Sequence, residues 1–224
     1  MDGEPPGRNG SKPPDMRLLS NPLMGDIVSD WSPVHEAAIH GRLLSLRSLI
    51  NQGWPVNVIT ADRVSPLHEA CLGGHPSCAN MLLRHGAQVN GVTVDWHTPL
   101  FNACVSGSHE CVNLLLQYGA SPHPASDLAS PIHEAAKRGH VECIESLVAH
   151  GGDIDQNICH LGTPLYLACE NLQVACVRKL LESGPSSLMQ LCRLRIRKCF
   201  GIQQHHKITG LSLPEELKRF LLHI

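Results

Sequence analysis

Ten cysteines and fifteen histidines in 224 residues are the side chains with the most chemistry to offer. Their spacing decides between a metal site, a thiol enzyme and a structural pattern. The stretch HEAAIH at 35–40 comes near the H-E-x-x-H signature, in which two histidines four residues apart share a helix face and bind zinc. Here His35 and His40 are five apart, which takes them off one face. No two cysteines have C-x-x-C spacing, the commonest metal or redox arrangement. No Gly-rich phosphate loop and no G-x-S-x-G elbow occurs. The sequence therefore predicts no catalytic residue, no metal site and no cofactor.

The same residues recur too regularly to be a site. Cys78, Cys111, Cys143 and Cys176 follow at intervals of 33, 32 and 33, and Cys71, Cys104 and Cys169 share another recurring position. These are two places in a repeating unit, filled by small, readily buried thiols. His35, His68 and His133 each precede Glu-Ala, and they are expected to tie neighbouring units together by hydrogen bonds. Ten thiols, with no apolar run in the first 15 residues, predict a reducing compartment. The location expected is the cytoplasm, or also the nucleus or mitochondria, depending on the substrate.

The elements that would position these groups follow from the period. Ser32-Pro33, Ser65-Pro66, Thr98-Pro99, Ser130-Pro131 and Thr163-Pro164 place their prolines 33, 33, 32 and 33 residues apart. Ser or Thr fits a helix N-cap, and Pro fits the first helical position, where no N–H is needed. Small residues recur at Ala38, Cys71, Cys104, Ala136 and Cys169, which lets units pack closely. Gly41, Gly74, Gly107 and Gly139 are expected to close the first helix of each unit. A second helix carries LLSLRSLI, CANMLLRH or CVNLLLQY. With 42% apolar but only 4% aromatic residues, the core should be finely divided. Each unit is too small to bury its own apolar face, so stacking must supply the core.

A period near 33 with T-P-L-H-x-A resembles the ankyrin repeat. The resemblance implies an all-α repeat solenoid of about five helix-turn-helix units over residues 29–184. The units are about 30–62, 63–95, 96–127, 128–160 and an incomplete 161–184. Residues 1–28, which open on MDGEPPGRNGSKPPD, are expected to be a mostly disordered arm. Within it, Met16–Met24 is an apolar island that would either cap the first repeat or grip a partner. No apolar run of 18 or more residues exists, so no transmembrane helix is expected.

Past Gly184 the period stops and the charge changes sign. Residues 1–184 hold 11 Lys and Arg against 18 Asp and Glu, whereas residues 185–224 hold 7 against 2. A basic tail could address nucleic acid or an anionic membrane, but its apolar spacing is too regular for that reading, and neither partner is expected. Leu188, Leu191, Cys192, Ile196, Cys199 and Phe200 draw one stripe at helical steps. Pro214 followed by Glu215 and Glu216 opens a second helix. Two short helices in about 40 residues need a surface to pack on.

SLMQLCRLRI resembles the elongin-binding box of the SOCS-box family, with Leu188, Cys192 and Ile196 in its Leu, Cys and aliphatic places. LSLP at 211–214 resembles the cullin box that follows it, with Glu216 where the family often has a second proline. The chain is thereby identified as similar to the ankyrin-repeat and SOCS-box family. The resemblance implies a SOCS box over 185–224, with an elongin-binding box at about 186–200 and a cullin box at about 208–222. Elongin B/C would bind through Leu188, Leu191, Cys192 and Ile196. Cullin-5 and its RING protein would bind through Leu211, Leu213 and Pro214. A substrate protein, not named by the sequence, would be held at the hairpin tips, with Trp96 the leading residue and Asp95, Arg63 and His97 beside it. Trp96 could instead fold back on the junction of repeats two and three. The function implied is that of a non-catalytic adaptor promoting ubiquitination and proteasomal degradation. The alternative is a scaffold or competitor that binds elongin or a partner without productive ubiquitination. The early end of the fifth repeat makes the array look shortened, and its outward face would then need cover, for which Leu188–Phe200 is the nearest candidate.

Overall fold

The computed structural model describes residues 31–123 and 130–183. Among the described residues ten helices form five pairs: α1 (Pro33–Ile39) with α2 (Leu43–Asn51), α3 (Pro66–Leu72) with α4 (Pro76–Arg84), α5 (Pro99–Ser106) with α6 (His109–Gln117), α7 (Pro131–Arg138) with α8 (Val141–Ala149), and α9 (Pro164–Glu170) with α10 (Val174–Ser183). The odd helices pack side by side as an inner row, and the even helices pack behind them as an outer row. This is the ankyrin solenoid expected from the period, and both helices of the fifth pair form. Among the described residues no strand forms. The arm 1–28 and the tail 185–224 lie outside the described residues, as do all the expectations placed on them.

Each inner helix starts as its residues dictate. Ser32, Ser65, Thr98, Ser130 and Thr163 are the N-caps, with extended backbone, and a proline follows each. The ends differ slightly from expectation. Gly107 and Gly139 cap α5 and α7 directly, whereas α1 and α3 end one residue earlier, on His40 and Gly73. Gly41 and Gly74 still take the left-handed conformation at the next position. In the fifth unit that place falls to Leu172, at φ 58°. An L-residue pays roughly 1–2 kcal/mol for this conformation because its Cβ crowds the carbonyl oxygen.

One continuous core runs through all five units. Leu46, Leu67, Leu82, Leu100, Leu115, Ile132, Ile144 and Leu147 are fully buried in it, with Ala38, Ala70, Ala103 and Ala135 at the close approaches. Cys71, Cys78, Cys104, Cys111, Cys143 and Cys176 are free and buried. Cys71 and Cys111 influence each other across neighbouring units, and so do Cys104 and Cys143. Burial pushes the Cys71 thiol well above its ordinary range. Cys169 departs from its equivalents, being only partly buried, since among the described residues no unit packs beyond the fifth.

Candidate protein-interaction surface

The surface that could meet a partner is built on two polar ladders. In the first, the Nδ1 atoms of His35, His68 and His133 accept from the N-cap serine hydroxyls at 2.9, 2.8 and 2.8 Å. Their Nε2 atoms donate to the carbonyl of the next tip: Val64 at 3.0 Å, Gly91 and His97 both at 3.1 Å, and Gly162 at 3.0 Å. All three rings are buried. Burial lowers each pKa, for His68 to about 4. The rings are therefore neutral at pH 7, as a ring that accepts on one nitrogen and donates on the other must be. Phe101 and Tyr166 occupy the same position in units three and five. There the N-cap threonine accepts from the backbone instead, at 3.1 and 3.2 Å.

The second ladder lies beyond the outer helices. Asn57 donates to the Gly86 carbonyl at 2.8 Å and accepts from Gln88 N–H at 2.9 Å. Asn90 repeats this to Gly119 and Ser121 at 3.1 and 3.0 Å. The sequence reading missed these staples. Their signal is the recurring Val-Asn at 56–57 and 89–90.

The ladders hold two tips together. Thr60 N–H donates to Val64 at 3.0 Å, Thr93 N–H donates to His97 at 3.0 Å, and Val94 N–H donates across to Asp62 at 3.0 Å. Arg63 and Trp96, one period apart, both have left-handed backbone, at φ 60° and 63°. Both side chains are exposed on these tips. Trp96 is 47% exposed, with Val94 and Ile59 exposed on the same pair of tips. Asp95 and Arg63 are exposed there too. His97 is placed differently. Its ring stacks on Phe101 with centroids 4.3 Å apart, and its carbonyl serves His68. Sequence reasoning named Trp96 but missed its apolar neighbours. The arrangement can do what interaction hot spots do: present an aromatic anchor with apolar contact and a charged rim. The expected elongin-binding residues Leu188, Leu191, Cys192 and Ile196, and the cullin-binding residues Leu211, Leu213 and Pro214, lie outside the described residues. Among the described residues no three His, Cys, Asp or Glu side chains come together as a metal site.

Comparison with known proteins agrees with this architecture. The ankyrin-repeats family model matches in three overlapping copies, at residues 16–93, 34–126 and 100–189. The SOCS-box family model matches residues 184–222. Ankyrin repeat and SOCS box protein 9 of Mus musculus is 60% identical over 292 aligned residues, which cover 100% of each chain. Ankyrin repeat and SOCS box protein 11 of Homo sapiens is 50% identical over 264 residues, covering 89% of this chain and 82% of its own. The crystal structure of the human ASB11 ankyrin repeat domain superposes with a TM-score of 0.68 at 61% identity, over 70% of this chain and 71% of that one. Against 224 residues here, the 292 aligned positions of the mouse protein leave 68 without a counterpart, close to two ankyrin periods.

Proposed function

We propose that this chain, which belongs to the ankyrin repeat and SOCS box family, is a substrate-recognition adaptor of an elongin B/C–cullin-5–RING ubiquitin ligase. It supplies no catalytic residue itself. The array holds a target protein, and the tail plugs it into the ligase, so that the target is ubiquitinated and degraded. The single observation that carries this reading is a SOCS box directly following an ankyrin array. Within the box, Leu188, Cys192 and Ile196 are spaced i, i+4 and i+8, so in a helix they would share one face and could offer it to a groove on elongin C. Leu211, Leu213 and Pro214 are the residues proposed for cullin-5. The tips around Trp96 are proposed for the substrate. The cytoplasm is the proposed location, with the nucleus or mitochondria as sites set by the substrate.

Co-expression with elongin B/C tests the box. A buried Leu is worth about 2–5 kcal/mol, and about 1.4 kcal/mol is tenfold in affinity. Leu188→Ala with Cys192→Ala is therefore expected to abolish co-purification. Retention at wild-type yield would overturn the assignment. The second reading, a scaffold or competitor that captures elongin without productive ubiquitination, is favoured by the 68 absent positions. Ubiquitination of a bound target in a reconstituted ligase separates the two.

A further inference from the structure

The position that follows the ladder histidine in each inner helix reads Glu36, Glu69, Asn102, Glu134 and Leu167. Four of the five are satisfied. Glu36 accepts from Trp31 Nε1 at 3.1 Å and pairs with His40 at 3.1 Å. Asn102 donates to the His68 carbonyl at 3.2 Å. Glu134 pairs with Arg138, and Leu167 is a buried apolar residue with no polar group to satisfy. Glu69 is the exception. It is only 7% exposed, yet among the described residues its carboxylate has no hydrogen bond or ion pair. Leaving a buried polar group without a partner forfeits its hydration with nothing in return, more so when it is charged, so such a group asks for an explanation.

Helix geometry says where Glu69 points. At 100° per residue, Leu67, Ala70 and Cys71 cluster on the side of α3 that meets the core, and Glu69 and Leu72 fall on the opposite side. That side is turned away from α4, toward the inner face of the array, where Glu69 itself keeps only 7% of its surface exposed. Leu72 is 41% exposed. Its equivalents in the neighbouring units are Ile39 and Val105, both partly exposed. An apolar row thus runs alongside Glu69, whose equivalents on either side are Glu36, paired with His40, and the neutral Asn102.

We infer that the inner face of α3 is a receptor site for a cationic side chain of a protein partner, with Glu69 as its counter-charge and Leu72 and Val105 as its apolar walls. The partner chemistry is an arginine or lysine set between apolar residues, whose aliphatic stem crosses Leu72 while its charged head reaches Glu69. This deepens the adaptor reading and rests on it, since it takes the array to be the partner-binding part. Burial raises the Glu69 carboxyl above the ordinary carboxylate range, and an incoming cation would draw it back down.

The test uses the full 224-residue chain and two peptides: acetyl-Leu-Arg-Leu-Arg-Leu-amide and the same sequence with citrulline, which keeps arginine's shape without its charge. Calorimetry is expected to show the arginine peptide binding at least tenfold tighter. Glu69→Gln is expected to erase that preference, and Glu110→Gln, which removes an exposed acid of α6, to leave it intact. Equal affinity for both peptides, or a preference that survives Glu69→Gln, overturns the proposal. A second measurement needs no variant: the Glu69 carboxyl carbon resonance should move on adding the arginine peptide and stay still with the citrulline one. A resonance unmoved by either peptide overturns the proposal as well. Elongin B/C co-purification, followed on the same samples, should not change with Glu69→Gln. A failed receptor site is thereby distinguished from a failed SOCS box, which only the Leu188 and Cys192 variant reports.

Discussion

Units two and five share a backbone but not the way it is held. In unit two, His68 reaches two carbonyls of the next tip, and Asn57 and Asn90 clamp the loops on both sides. Gly74 takes the left-handed turn between its helices without strain. In unit five, Tyr166 stands where the histidine would be, Leu172 makes the same turn at φ 58°, and Cys169 is only partly covered. The apolar residues of both units nevertheless lie in one core. The ankyrin shape is therefore set by the small and apolar residues that stack. The polar ladders decide how firmly each unit is fixed to the next.

The sharpest way to break that contrast is His68→Ala. It strips four hydrogen-bonding contacts, two to Ser65 and two to the next tip, and leaves two carbonyls of the neighbouring tip unserved. We expect a loss of about 3 kcal/mol in urea unfolding, with the tip around Trp96 loosened. Lowering the pH attacks the same ladder in the intact chain. The folded pKa of His68 lies near 4, below its unfolded value of about 6.5, so the unfolded chain binds the extra proton first. Its contribution is full above pH 6.5 and is lost as the pH falls from there to 4, by about 3 kcal/mol for this residue. His35 and His133, also lowered by burial, add in the same direction. Urea midpoints measured between pH 7.5 and 4 should trace this fall, and the slope should flatten in His68→Ala.

Asn90→Ala is a gentler probe of the second ladder. Its two hydrogen bonds are exposed, so a loss of about 1 kcal/mol is expected, read in the denaturant midpoint. The smallest effect runs the other way. Leu172→Gly relieves the left-handed strain at a residue 49% exposed, and a gain of about 0.5–1 kcal/mol is expected. A lower melting temperature would mean that the Leu172 side chain contributes more to packing than its backbone costs.

What was legible in the sequence follows the same division. Stacking repeats itself every unit, so the prolines, the small residues and the buried thiols announced the fold by period alone. The histidine ladder was legible because His35, His68 and His133 recur in phase. Asn57 and Asn90 escaped because each acts on a loop about 30 residues away, and two occurrences make a faint pattern. Trp96 was legible as a large ring in a tip, but not the left-handed φ of its backbone. Nothing in a sequence marks a leucine as standing in a glycine's place until the period is laid over it, which is how Leu172 went unnoticed. Glu69 was hidden differently. It looks like Glu36 and Glu134 in the repeat and differs only in what surrounds it.

The thiols buried in units two to five have a use outside the folded state. Each of these units carries at least one: Cys71 and Cys78, Cys104 and Cys111, Cys143, and Cys176. A sealed thiol meets an alkylating reagent only when its unit opens, while the exposed Cys159 reacts at once and serves as a zero-time mark. The array thus carries a stopwatch in each of these units. Mass spectrometry of timed alkylation would read opening along the chain unit by unit, with no residue substituted.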